Sequence, residues 1–175
     1  MSKILVLYKS KYGATEQYAR LLAQTQQWDI CPLADCNTKN LKEYDGILFA
    51  GGIYASGIAG IRELKKQFGE IKDQKIAVFC VGASPMDEKN LLEIKQRNLR
   101  GKLSGIPLFY GRGAWDESKM SFKDRLLVGM LQKAVSKKAP ADLEPWMMAL
   151  LEASGQKCSW VDQKYLEPVI EYFLK

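Results

Sequence analysis

The chain has 175 residues, 47% hydrophobic and 26% charged, the make-up of a single ordinary globular domain able to bury roughly 68 to 70% of its unfolded surface. Lysine and arginine outnumber acids by 26 to 20, a net charge of +6 that favours an anionic ligand, an acidic partner or an anionic membrane surface. Histidine is missing altogether, which excludes imidazole metal ligands, Ser/His/Asp triads and Cys/His pairs, and no metal site is expected.

The first residues, MSKILVLYKSK, carry an apolar stretch of only five residues, too short for the h-region of a signal peptide. Cys31, Cys36, Cys80 and Cys158 show neither C-x-x-C nor paired zinc spacing, so free thiols in a reducing cytoplasm are expected. The longest uncharged stretch, Gly46 to Ile61, holds five glycines and falls short of the roughly 20 residues that span a bilayer.

Residues 3–8, KILVLY, form a short continuous apolar run, the mark of a strand buried on both faces of a parallel sheet. From Thr15 the positions Tyr18, Ala19, Leu22 and Ala23 recur at helical spacing, and the helix is expected to end near Gln26. WDICPL (28–33) is a weaker strand. GILFAGG (46–52), KIAVFCVG (75–82) and IPLFYGRG (106–113) are apolar runs closing on glycine. Between them lie helical patterns at 60–71, with Ile61, Leu64 and Phe68 on one face, and at 87–97, with Leu91, Leu92 and Ile94. Alternating strands and helices predict an α/β fold, a doubly wound five-stranded parallel sheet.

After Gly113 the alternation is interrupted. Met120, Leu126, Leu127, Met130, Leu131, Ala134 and Val135 repeat at three and four residues, which predicts an extra amphipathic helix over 120–135 within an insertion at about 114–156 of one domain, 1–175. Seven basic residues against three acidic ones fall in 112–138, so the helix is basic. It suits a membrane surface, as a peripheral contact, an anionic substrate, or simply a solvated cover over the sheet. Nucleic acid is not expected, since no binding fold or aromatic base platform accompanies the charge. In DQKYLEPVIEYFLK (162–175), Pro168 means that the last helix either starts near Glu167 or is kinked.

The chemistry is expected in the loop after the first strand, KSKYGAT (9–15), because ligands of open α/β sheets bind beyond the carboxyl ends of the strands. Neither G-x-G-x-x-G nor G-x-x-x-x-G-K-[ST] occurs in the chain, which argues against ordinary NAD and ATP sites. Ser10, Lys11, Tyr12, Gly13, Ala14 and Thr15 instead offer two hydroxyls, a glycine for a tight turn, and helix-start amides without intrahelical partners. That set suits a terminal phosphate; it also suits a plain helix cap.

Ser10 to Thr15 resembles the FMN phosphate loop of flavodoxins, close to [ST]-x-[TY]-G-x-T. The likeness extends through EYDGILFAGGIYASG (43–57) and AVFCVGAS (77–84), where flavodoxin-like proteins carry two flavin-ring loops. It implies strand order 2-1-3-4-5 and FMN as cofactor. Gly52, Ile53, Tyr54, Ala55, Ser56 and Gly57 would form one ring loop, with strand 3 ending at Gly51 and Tyr54 placed to stack; Gly82, Ala83 and Ser84, followed by Pro85 and Met86, would form the other wall. Small residues at 82–84, where electron-transferring flavodoxins commonly place an aromatic, would leave a flavin face open to a substrate.

YGRGAWDESKMSFKDRLLVGMLQKA (110–134) is similar to the insertion of the flavodoxin-like, menaquinone-dependent protoporphyrinogen oxidases, whose outline Trp115, Asp116, Phe122, Asp124 and Arg125 match; CSWVDQKYLEPV (158–169) is similar to the lead-in to their last helix. The resemblance implies an FMN-dependent oxidoreductase, cytoplasmic or peripheral at the inner face of the membrane, that oxidises protoporphyrinogen or a similar hydrogen donor and passes electrons to a quinone. The catalytic residues are not assigned. The alternatives are a flavodoxin-type electron-transfer protein docking on redox partners, against which the basic balance counts, and a redox-sensing module in which Cys31 and Cys36 pair.

Overall fold

A computed structural model of the protein describes residues 2–36 and 38–175. In chain order the elements are β1 (Ile4–Lys9), α1 (Ala14–Gln26), β2 (Asp29–Pro32), β3 (Gly46–Tyr54), β4 (Gly57–Ile58), α2 (Ile61–Ile71), β5 (Lys75–Gly82), α3 (Glu88–Asn98) and β6 (Leu108–Arg112). Then follow β7 (Ala114–Asp116), α4 (Phe122–Val135), α5 (Pro145–Glu152), β8 (Lys157–Ser159) and α6 (Glu167–Leu174). Helix α6 begins at Glu167 with Pro168 in its first turn, where the missing N–H costs nothing.

Strands β2, β1, β3, β5 and β6 lie side by side in that order and run parallel, so the five main strands stand 2-1-3-4-5 as expected. The alternation of side chains across each strand splits the apolar residues into two layers. Val6, Leu48 and Phe79 face α1 and α6, packing with Tyr18, Leu22, Leu166, Val169 and Phe173. Leu5, Leu7, Ile47, Phe49 and Val78 face the opposite layer with Leu64 and Ile71 of α2 and Ile94 of α3. Continuous apolar strands are thus explained by burial on both faces. The chain leaves β1 toward β2 on one side and returns to β3 on the other, so the order reverses beside the ends of β1 and β3.

Two expectations are corrected. Strand β3 does not stop at Gly51 but continues to Tyr54 and turns back as β4, because Ile53 pairs antiparallel with Ile58 and Tyr54 with Gly57. Helix α4 begins at Phe122, with Ser121 as its cap accepting from the Asp124 amide, so Met120 lies before the helix rather than in it. The insertion also holds more than one helix. Strands β7 and β8 pair antiparallel at its two ends, and α4 packs on α5 around Val135, Met147 and Leu150, a small core separate from the two sheet layers. The apolar periodicity of 120–135 predicted a helix but not which side would face the protein.

Candidate functional site

Gly13 precedes α1 with φ +98°, a conformation that side-chain-bearing residues rarely adopt. Ser10 Oγ accepts from the Gly13 amide at 3.0 Å, and the Gly13 carbonyl accepts the first helical bond, from Gln17, at 3.0 Å. The amides of Ala14, Thr15 and Glu16 stand at the helix start, where no intrahelical acceptor exists. Thr15 is buried and lines a cavity with Ser10, Tyr12 and Ala14. So Ser10 does order its own turn, as a plain cap would, while the free donors of the first helical turn open beside a cavity.

The second part of the site is the β3–β4 hairpin. Its two turn residues, Ala55 and Ser56, sit at φ 48° and 63°, a left-handed pair that hairpin geometry favours and their side chains do not. Asn98, at the end of α3, holds the turn in place: its Oδ1 accepts from Ile58 N at 2.9 Å, and its Nδ2 donates to Ser56 O at 2.8 Å. The Tyr54 ring folds back over Gly52, whose missing Cβ leaves the space: a Cβ there would meet the Tyr54 hydroxyl at 2.9 Å. Burial pushes the Tyr54 phenol above its ordinary range. Tyr12 meets Tyr54 edge-on, with ring centroids 6.2 Å apart.

The third part, Gly82–Ser84, is pinned from β6. The Tyr110 hydroxyl reaches the carbonyls of Gly82 and Ser84, and Arg112 Nε donates to Ala83 O at 3.0 Å while its guanidinium lies 3.9 Å over the Trp160 ring. Burial raises the Tyr110 pKa, which keeps the hydroxyl protonated for this task. Pro85 and Met86 turn away to a small cleft against α3.

The insertion closes the fourth side through one carboxylate. Asp124 accepts from both Lys11 Nζ and the Tyr12 hydroxyl, and the Ser121 amide donates to the same Tyr12 oxygen at 3.3 Å. Lys11, with Tyr12 second, holds the Asp124 carboxyl below the usual carboxylate range, and Asp124 in turn raises Lys11. Both lysines of this stretch are therefore already paired, Lys11 with Asp124 and Lys9 with Glu63 at 3.0 Å, so an anion there would be held by hydroxyls and amides. Hydrogen bonds to charged groups contribute about 1.5 to 3 kcal/mol each, more than the helix dipole at an exposed end, so this remains a competent anion site.

These parts enclose a cavity of about 350 Å³, within the span of small-molecule sites. Of the residues expected from sequence, Ser10, Tyr12, Ala14, Thr15, Gly52, Ile53, Tyr54, Ala55, Gly82 and Ala83 line it. Lys11, Gly13, Ser56, Gly57 and Ser84, also expected there, do not line it; they order the loops or are bonded to their neighbours. Trp115, Met120, Asp124, Leu127, Val128, Leu131 and Leu150 supply the insertion's wall. Sequence reasoning singled out Trp115 and Asp124 through the family outline, but missed Asn98, Tyr110 and the lining role of Leu150, because no local pattern signals contacts such as those of Tyr110 and Asn98, made 26 to 42 positions away.

Sheet order and site together define a doubly wound α/β protein with its cavity where the strand order reverses. The chain belongs to the flavodoxin domain family, matched over residues 5–142. Among solved structures it is similar to the WrbA-like flavodoxin from Agrobacterium tumefaciens, at 20% identity over 71% of this chain and 88% of that one, TM-score 0.46. It is also similar to the Bacillus cereus flavodoxin 1, at 18% over 79% and 100%, TM-score 0.41. A flavoprotein from Lactobacillus acidophilus, solved in complex with FMN, matches at 14% over 64% and 93%, TM-score 0.42. Comparison with curated proteins finds no match.

Proposed function

We propose that the protein binds FMN in this cavity and works as an FMN-dependent oxidoreductase. Its hydrogen donor is protoporphyrinogen or a similar reduced tetrapyrrole, and its acceptor is a quinone, reached from the cytoplasmic side of the membrane. The observation that carries this reading is a cavity lined jointly by Ser10 and Thr15 of the turn after β1, by Tyr54 and Gly82–Ala83, and by Trp115, Leu127, Leu131 and Leu150 of the insertion.

The residues present fit the cofactor. The amides of residues 14–16 with the Ser10 and Thr15 hydroxyls suit its phosphate, and the apolar lining flanked by Tyr54 and Trp115 suits a flat ring. Bound there, FMN supplies the hydride and electron transfer that no side chain of this chain offers. The chain's own residues bind, orient and keep out water, and the small side chains at 82 and 83 leave the ring approachable. The donor and acceptor are supported by the likeness of Trp115, Asp116, Phe122, Asp124 and Arg125 to the protoporphyrinogen oxidase outline.

Adding FMN to the purified protein is expected to give a bound flavin spectrum, and Thr15→Val to weaken its binding roughly ten- to hundredfold by removing one hydrogen bond to a charged group. Anaerobic mixing with protoporphyrinogen should bleach that spectrum, and a menaquinone analogue should restore it. Electron exchange with protein partners alone would favour the electron-transfer alternative; a protein that stays colourless with excess FMN would end both.

A further inference from the structure

Helix α4 gives only one of its faces to the protein. Val135 is buried and Val128 half-buried among the insertion's core, and Gln132 Nε2 donates to Glu117 at 2.9 Å. Phe122, Leu126 and Met130, each four residues from the next and hence on one stripe, are 84%, 55% and 62% exposed. Leu127 and Leu131 are exposed as well while lining the cavity, and Met148 of α5 is exposed. A helix of a globular protein normally turns such a stripe inward, and a contiguous apolar surface of this kind marks an interaction site.

The charges around the stripe say what covers it. Lys119, Lys123, Lys133, Lys137 and Lys138 are all exposed, and none of them is in an ion pair found among the described residues. Asp124, the only acid between 119 and 138, is already bound to Lys11 and Tyr12. Arg125 turns back onto the carbonyls of Glu117, Ser118 and Met120. An apolar stripe bordered by unpaired lysines is complementary to a surface that is oily beneath and anionic on top. A second copy of the chain is a poorer fit, since isologous pairing through this face would set lysines against lysines. Among the described residues no helix is long and apolar enough to cross a membrane, so the contact is peripheral.

We propose that the outer face of α4 docks on an anionic lipid bilayer, with Phe122, Leu126 and Met130 at the acyl boundary and the lysines on the phosphate headgroups. Leu127 and Leu131 belong to both the exposed surface and the cavity wall, so docking brings the cavity rim to the lipid. This goes beyond the flavin reading and does not depend on it: a protein that never takes up FMN could still dock, and one that does not dock could still be yellow.

The test is co-sedimentation of the purified full chain with phosphatidylcholine vesicles, with and without roughly one-third phosphatidylglycerol, at low and high salt. Binding to the anionic vesicles is expected to exceed binding to the neutral ones by about tenfold or more and to fall with salt. L126E/M130E should remove it while leaving the thermal transition unchanged, since both side chains are exposed, and K123E/K133E should remove most of it. Equal binding to both vesicles, or anionic binding that L126E/M130E leaves intact, would overturn the proposal. So would dimerisation that depends on the stripe and occurs without any vesicle binding.

Discussion

At the scale of single residues, Asp124 is the contact that ties the insertion to the turn after β1. It joins the start of α4 to Lys11 and Tyr12 of the loop after β1, across more than a hundred positions of chain. Because Lys11 and Tyr12 depress the Asp124 pKa, the clamp is fully present above the ordinary carboxylate value of about 3.9 and is lost as pH falls through the lower folded value. Lys11 is raised, so on the alkaline side the pair survives through the ordinary lysine range, about 10.4, and fails only above it. Limited proteolysis in 113–122 is therefore expected to be flat from about pH 5 to 9 and to accelerate in acid. Asp124→Asn should show faster cleavage at neutral pH and no acid step. Because Lys11 is exposed, its global cost should stay under about 1 kcal/mol.

Among elements, the β3–β4 hairpin departs furthest from local preference. Two residues with left-handed backbone and ordinary side chains are strained, and they persist because the rest of the molecule holds them. The main holder is Asn98, which bonds the turn at Ser56 and the returning strand β4 at Ile58. Asn98→Ala leaves the half-buried Ile58 amide without its acceptor and is expected to cost about 1 to 2 kcal/mol, some 2 to 8 °C in a thermal melt. Replacing Ala55-Ser56 by Asn-Gly, the pair this turn prefers, should act in the opposite direction by about 1 kcal/mol. A melt in which both changes destabilise would mean that the turn is not held in this conformation.

For the molecule as a whole, the two sheet layers and the insertion form separate apolar cores. Phe79 packs edge-on to Tyr18 with centroids 5.0 Å apart in the first of these, so Phe79→Ala should lower the stability of the entire sheet by about 3 to 5 kcal/mol. Met147 belongs to the insertion's core. Met147→Ala should speed amide exchange across 122–152 while the amides of β1, β3 and β5 keep their protection. Equal loss in both regions would show that the insertion and the sheet unfold as one unit.

What could be read from the residues alone was local. The apolar runs at 3–8, 46–52 and 75–82 marked buried strands, their alternation with helices implied the parallel sheet, and the turn from Ser10 to Thr15 was legible because its bonds span three or four positions. Strand β3 was cut short because glycines at 51 and 52 read as a stop. In the folded protein they are strand residues whose missing side chains admit Ala59 and Tyr54. The order of residues along the chain by itself determined the strands, the crossovers and the turn from Ser10 to Thr15, since burial pattern and backbone preference are properties of neighbouring residues. Only the tertiary structure decided that Asp124 meets Lys11, that Asn98 holds Ser56, and that α4 turns its apolar stripe outward. Those contacts join distant positions, and which of several chemically suitable partners meet is settled by how the layers pack.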